Sequence, residues 1–168
     1  RGLVRFVESY RQLTRIPAPN CRPFYLRPFL ERMRMLALQG QVVQTAVVID
    51  IDVAPADLLL YADEDLIGQV VLNLLKNALQ ALSGEGQGEI RIEAREAERG
   101  AIVVDVSDNG KGMPAEVAEN VFVPFFTTKQ DGSGIGLSLS RQIMRLHGGS
   151  LILKSTRPEG TVFRLTFQ

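Results

Sequence analysis

The sequence carries no excess charge of either sign: 19 Lys and Arg offset 19 Asp and Glu. That balance gives no pull toward nucleic acid or an anionic membrane, so any anion bound here must be held by local geometry. Cysteine is almost absent. Cys21 alone cannot form an internal disulfide, which fits a reducing compartment, and with no thiolate-activating pattern around it Cys21 reads as structural. No run approaches the ~20 apolar residues of a membrane helix, and no signal-peptide pattern is present. The chain starts at Arg1 rather than at a methionine, so it is expected to be a cytoplasmic piece of a longer protein that can be anchored in the inner membrane elsewhere.

What is present is enough for one core. With 168 residues and 45% hydrophobic side chains, one globular domain with a short appendage is the default. Leu3, Phe6, Tyr10 and Leu13 recur at helical spacing, predicting an amphipathic helix over 3–15. The prolines between Ile16 and Pro23 end it and form a stiff linker, placing a boundary there. Beyond it the pattern predicts a short strand at Phe24–Leu26, a helix from about Pro28 to Gln39 stopped by Gly40, and a β-branched strand over Val42–Ile51. A short strand at Leu58–Tyr61 precedes a long helix from Glu64 to Leu82, closed by Gly84, Gly86 and Gly88. Glu89–Arg95 and Ala101–Ser107 alternate as a hairpin. Ile135–His147 reads as a helix ended by Gly148 and Gly149, with final strands at Ser150–Ser155 and Thr161–Thr166. This order predicts an α+β two-layer sandwich, a mixed, mostly antiparallel sheet under helices.

The long helix carries two stripes. Leu66, Val70, Leu74, Ala78 and Leu82 make a core face, while Gln69, Asn73, Lys76, Asn77 and Gln80 stack side-chain amides and a lysine on another. Amide oxygens are hard ligands suited to Mg²⁺ shared with phosphates, although a solvated helix face is the simpler reading of this stripe alone. Asp108-Asn109-Gly110-Lys111-Gly112 follows a strand, and Asn-Gly is a strong hairpin signal. Met113-Pro114-Ala115-Glu116 does not read as a returning strand, however. A carboxylate fixed beside glycines is instead suited to accept an adenine amino hydrogen.

From Asn109 to Ser133 the chain offers at most one short helix, a length typical of lids rather than of ordinary connections. Within it Phe122, Phe125 and Phe126 can anchor the loop by burial, while Thr127, Thr128 and Lys129 supply hydroxyls and a cation for a terminal phosphate. Gly132-Ser133-Gly134-Ile135-Gly136-Leu137 runs into a helix, where bare N–H groups and the helix dipole favour an anion; a flexible hinge is the competing reading. His147 is the only histidine, and its place at a helix end argues for a capping role.

Together these segments resemble the histidine-kinase branch of the ATPase superfamily that includes DNA gyrase, mismatch-repair and heat-shock chaperone ATPases. Asn73-Leu74-Leu75-Lys76-Asn77-Ala78 resembles its N box, Asp108-x-Gly110-x-Gly112 its G1 box, Phe122–Lys129 its F box, Gly132-x-Gly134-x-Gly136-Leu137 its G2 box, and Gly160-Thr161-Val162-Phe163 its closing segment. The resemblance covers 24–168 as an ATP-binding catalytic domain of Bergerat fold with an ATP lid, and 1–23 resembles the end of a dimerisation and phosphoacceptor helix with its linker.

The resemblance implies that Asn77 coordinates Mg²⁺ on the ATP phosphates, Asn73 supports the phosphate site, Asp108 receives the adenine amino group, and Thr161 reaches adenine through water. It implies nucleotide contacts at Lys76, Gly110, Gly112, Met113, Thr128, Ile135 and Leu137 as well, with Gly132, Gly134, Gly136 and a supporting Lys129 holding phosphates under the lid. Gln80 stands where many members carry a basic residue. At position 73 the gyrase-like and chaperone-like branches carry a glutamate that activates water, a role asparagine cannot fill. The expectation is a protein histidine kinase half that lacks its own phosphoacceptor histidine. Its expected partners are its own dimerisation domain, as a homodimer in the parent protein though a monomer as this fragment, and a response regulator, with no nucleic acid. The rival readings are an ATP-hydrolysing machine and a degenerate binding module.

Overall fold

The computed structural model describes residues 2–39, 46–82 and 86–168. Helix α1 (Gly2–Thr14) leads through the proline linker into strand β1 (Arg22–Tyr25) and helix α2 (Leu26–Leu38). Strands β2 (Val47–Ala54) and β3 (Leu59–Ala62) precede the long helix α3 (Glu64–Ala81). Then come β4 (Gly88–Glu96), β5 (Ile102–Asp108), a one-turn helix α4 (Ala115–Ala118), α5 (Gly136–Leu146), β6 (Ser150–Arg157) and β7 (Gly160–Phe167).

The main sheet has the order β2-β4-β5-β7-β6. Only β2 and β4 run parallel; the other pairs are antiparallel, so the expected mixed, mostly antiparallel sheet is the one that forms. β1 and β3 make a separate two-stranded ribbon. Period-two alternation turns Ile90, Ile92 and Ala94 of β4 and Thr161, Phe163, Leu165 and Phe167 of β7 toward the helices, where all are buried. Facing them, the predicted α3 stripe of Leu66, Val70, Leu74, Ala78 and Leu82 is buried throughout. Each buried Val, Leu, Ile or Phe among them contributes about 1.5–3 kcal/mol of transfer free energy, and α2 adds Phe29, Leu30 and Met33 to the same core.

Several boundaries differ from the sequence reading. Leu26 opens α2 rather than closing β1, and β1 begins at Arg22, inside the proline-rich linker. β2 runs on to Ala54, three residues past the predicted end, because its parallel pairing with β4 continues to Ala54 and Arg95. The predicted helix stop at Gly40, the start of the Val42 strand and the Gly84 turn lie outside the described residues.

α1 touches α5 but has no buried residue. Most of its apolar seam is exposed, Leu3 being 76%, Phe6 51% and Tyr10 55%, while Leu13 is half-buried. The one ring contact it makes is Phe6 stacked on Phe125 at 4.9 Å between centroids.

α3 begins where three parts of the chain converge. Asp63 caps it, its Oδ1 accepting from the N–H groups of Asp65 and Leu66 at 3.1 Å each. Its other oxygen accepts from the Asn20 N–H of the linker at 2.8 Å, the largest of the contacts that hold this carboxyl below the usual carboxylate range. The Asp63 N–H donates to Nε2 of His147 at 3.1 Å, while Nδ1 of the same ring lies 2.8 Å from the Ile143 carbonyl. With one ring nitrogen on each partner, His147 clips the end of α5 to the start of α3, the structural role its helix-end position suggested.

Candidate functional site

The second stripe of α3 opens onto the loop between β5 and α5. Asn73 lies half-buried at its centre, its Nδ2 donating to Oγ of Ser140 on α5 at 3.2 Å. Gly136, one turn before Ser140, packs directly on Asn73: a Cβ there would stand 2.3 Å from Asn73 Oδ1, so a larger residue would push this amide aside. α5 starts without a side-chain cap and without an acidic residue in its first turn, leaving its N-terminal N–H groups available to an anion.

One turn further along α3, Asn77 and Gln80 meet the loop. The Lys129 ammonium donates to Asn77 Oδ1 at 3.1 Å and also to Gln80 Oε1. Two amide oxygens thus converge on a cation. Desolvation by its surroundings lowers the Lys129 pKa from the ordinary lysine value.

The loop around Lys129 is strapped at its base. The Phe125 N–H donates to the Gly134 carbonyl at 2.8 Å, and both residues hold positive φ, 66° and 70°. A Cβ on Gly134 would lie 2.5 Å from the Phe125 carbonyl carbon, which is why glycine stands there. Phe122 is the aromatic anchor, set edge-on to Phe163 at 6.3 Å with the Arg141 guanidinium 4.3 Å above its ring. Phe125 is not a core anchor; it is 38% exposed and faces α1. The Thr127 hydroxyl accepts from the Lys129 N–H at 3.1 Å, whereas Thr128 is exposed beside it.

The floor of the site lies at the ends of β5, β6 and β7. Asp108 closes β5 opposite Thr161 of β7. Burial raises the Asp108 pKa above the usual carboxylate value, against the opposing pull of the Gly110 and Thr161 N–H groups. The Gly110 N–H donates to its Oδ1 at 2.9 Å. Asn109 does not turn a hairpin: its side chain accepts from the Glu89 N–H at 2.8 Å and donates to the Gln87 carbonyl at 3.2 Å, tying the loop to the start of β4. Gly112, at φ 69°, lets the chain pass against β6, where a Cβ would stand 1.9 Å from the Arg157 carbonyl oxygen. The Met113 N–H then donates to Oγ1 of Thr156 at 2.9 Å.

The fold therefore gathers Asn73, Asn77, Gln80, Lys129, Gly134 and Gly136 on one side and Asp108, Gly110, Gly112, Met113 and Thr161 on the other. Ile135 is buried and Leu137 packs against the core, so these two can offer a ligand only their backbone. Lys76 lines the cleft between α3, α5 and the linker that Asn73, Gly136 and Ser140 also border, together with Arg15 and Gln69. Ser140 and Thr156 are the polar partners that the sequence reading did not name. Ser140 shares a helix face with Gly136 at i, i+4 spacing, which was a usable signal. Nothing local marked Thr156.

Among the described residues no group of three His, Cys, Asp or Glu converges as a metal site. A divalent ion here would rest on the Asn77 amide oxygen, which already holds an ammonium, and on the oxygens of a bound ligand; a hard cation fits such donors.

Residues 62–168 match the family described as histidine kinase-, DNA gyrase B-, and HSP90-like ATPase. The chain is 41% identical to the sensor histidine kinase ZraS of Salmonella typhimurium over 104 residues, 62% of this chain and 22% of that protein. The solved catalytic domain of histidine kinase ThkA superposes with a TM-score of 0.76 at 32% identity, covering 88% of this chain and 95% of that one. ThkA solved in complex with the response regulator protein TrrA superposes at 0.79 and 26% identity, covering 99% of this chain and 47% of that one. The chain thus spans about a fifth of the curated relative and nearly half of the longer ThkA chain.

Proposed function

Because the chain belongs to the histidine kinase-, DNA gyrase B-, and HSP90-like ATPase family, we propose that it binds Mg-ATP and donates the γ-phosphoryl group to a histidine on another part of the same protein. The adenine would sit on Asp108, its amino group donating to the carboxylate, with Gly110, Gly112, Met113 and Thr161 around the ring. The phosphates would meet the N-terminus of α5, Lys129 and Thr128. Asn77 would hold the Mg²⁺, which supplies charge neutralisation on the phosphate oxygens.

The observation that carries this reading is the chemistry of Asn73. It stands where the hydrolytic branches of the family place a glutamate, but an amide takes no proton at neutral pH, and this one is engaged by Ser140. An ATP site without its own base suits transfer to a nucleophile brought by a partner, since phosphoryl transfer depends mostly on positioning and charge stabilisation. His147 is not that nucleophile. Its Nε2 is engaged by Asp63 at the start of α3 and its Nδ1 by the Ile143 carbonyl of α5, and Asn77 lies 14 residues along α3 from Asp63, about 21 Å at the α-helical rise.

The exposed seam of α1 supports the rest of the assignment. A 13-residue helix with no buried residue is marginal alone, so we assign residues 1–23 to the end of a dimerisation helix and its linker. In the parent protein this seam joins a homodimeric helical bundle; this fragment is a monomer. A response regulator is the proposed recipient of the phosphoryl group, in the cytoplasm. No described helix is long and apolar enough to cross a membrane.

The test is a thermal-shift titration with a non-hydrolysable ATP analogue. A Mg²⁺-dependent rise in Tm that Asn77→Ala abolishes is expected, and no shift in the unsubstituted chain overturns the reading. Adding the upstream histidine-bearing segment should then give acid-labile label from ATP, whereas steady ATP hydrolysis by the present chain would favour the gyrase-like alternative.

A further inference from the structure

Thr156 stands at a point where the sheet departs from its regular pattern. Ser150, Leu151, Ile152 and Leu153 of β6 pair in step with Thr166, Leu165, Arg164 and Phe163 of β7. The register then slips between Leu153 and Ser155, so that Ser155 faces Val162 and Thr156 faces Thr161. Without the bulge Ser155 would stand opposite Thr161 and Thr156 would move to the other face, because one residue of slip inverts every side chain beyond it. Bulges of this kind re-aim side chains at sites.

The re-aimed hydroxyl makes two contacts that join separate walls of the site. It accepts from the Met113 N–H at 2.9 Å, and it lies 3.1 Å from Oγ1 of Thr161, which is buried. A threonine hydroxyl has one proton and two lone pairs. Either hydroxyl of the Thr156–Thr161 pair can donate; acceptance from Met113 polarises Thr156 toward being that donor. That leaves the Thr161 proton directed away from β6, next to the Asp108 carboxylate that pairs with it across the strands.

We infer that Thr156 is a positioning residue for nucleobase selection: through Thr161 it fixes a hydrogen-bond donor beside the acceptor Asp108, and through Met113 it holds the loop that borders the ring. The inference rests on the nucleotide reading above. Adenine offers an amino donor at its six-position where guanine offers an oxygen acceptor, so a fixed acceptor and donor side by side favour adenine. A Thr161 hydroxyl released from Thr156 rotates to serve either sense, and the discrimination weakens.

The test compares ATP and GTP binding by calorimetry in this chain and in Thr156→Val, with Thr156→Ser as the conservative variant and melting of the nucleotide-free proteins as a fold control. Thr156→Val should bind ATP about tenfold more weakly, the loss of roughly one good hydrogen bond, and lose most of its preference for ATP over GTP. Thr156→Ser should restore both. Combining Thr156→Val with Thr161→Val should cost no more than Thr161→Val alone, the non-additivity expected of residues acting in series. Equal weakening of ATP and GTP, additive effects, or no change overturns the inference. If Thr156→Val fails to fold, Thr156→Ala is read by the same criteria. Failure of the unsubstituted chain to bind ATP would instead remove the nucleotide reading itself.

Discussion

The Lys129 ammonium sits 3.1 Å from Asn77 Oδ1, so the lid lysine engages the amide oxygen proposed for Mg²⁺. On the proposed reading, bound Mg-ATP would compete with the ammonium for this oxygen and draw Lys129 toward a phosphate. Lys129→Ala should weaken ATP by about tenfold, as for a charge-assisted contact, while leaving ADP affinity within about twofold. Calorimetric titration with both nucleotides checks it; equal losses for ATP and ADP would place Lys129 on an inner phosphate instead.

Asp108 links stability and binding in opposite directions. Burial raises its pKa, so the ionised form is disfavoured in the folded chain relative to the unfolded one. A raised folded-state pKa means a contribution that favours the fold in acid and is lost as pH rises through that value, leaving a penalty at neutral pH. Asp108→Asn removes the charge while its amide oxygen can still accept from Gly110. The variant should melt at or above the temperature of the unsubstituted chain at pH 7 and bind ATP at least about tenfold more weakly. Nucleotide affinity of the unsubstituted chain should also fall in acid as the carboxylate takes up its proton.

Asp105 behaves in the opposite sense. Burial alone would push its pKa up, but Arg164, donating through Nε and one Nη at 2.7 Å each, and Lys154 at 3.3 Å hold the carboxyl below the usual range. A depressed folded-state pKa gives stability that is present above the unfolded value near 3.8 and is lost as pH falls through the lower folded value. Asp105→Ala strands the partly buried Arg164 and should cost about 3 kcal/mol, the low end for breaking such a pair, because Lys154 and Arg95 remain largely solvated. Urea denaturation at pH 7 measures the loss. Nucleotide affinity should remain, since the cluster lies on the sheet face away from the helices.

His147 should prove structural. His147→Ala removes the bond from the Asp63 N–H and the bond to the Ile143 carbonyl, at a cost of about 1–2 kcal/mol for two partly exposed hydrogen bonds. Denaturant unfolding reads that loss. ATP affinity should stay unchanged, and acid-labile label on His147 in the unsubstituted chain would contradict the assignment.

Much of the candidate site was legible because its chemistry is written in short segments. Glycines at 110, 112, 134 and 136 stand where backbone crosses backbone or an amide, and a close approach has no substitute residue. The amphipathic repeat of α3 fixed which side of that helix is buried and hence which side carries Asn73 and Asn77. What the sequence did not show was distant use: the segment after Asn109-Gly110 already argued against a hairpin, but not that Asn109 bonds to Glu89 and Gln87, 20 and 22 residues upstream. Phe125 looked like a core anchor until its ring was placed against Phe6.

The sequence alone determined the layer class, the core face of α3 and the residue types from which a nucleotide site can be built, since periodicity, glycine spacing and side-chain chemistry are properties of neighbours along the chain. Tertiary structure alone decided which of them meet. Gly136 and Ser140 close on Asn73, Lys129 reaches across 52 residues to Asn77, His147 clips Asp63 across 84, and a one-residue bulge in β6 turns Thr156 rather than Ser155 toward Thr161. These contacts depend on strand register and on the packing of α3 against α5, which are set by the burial of the whole core rather than by the residues that they join.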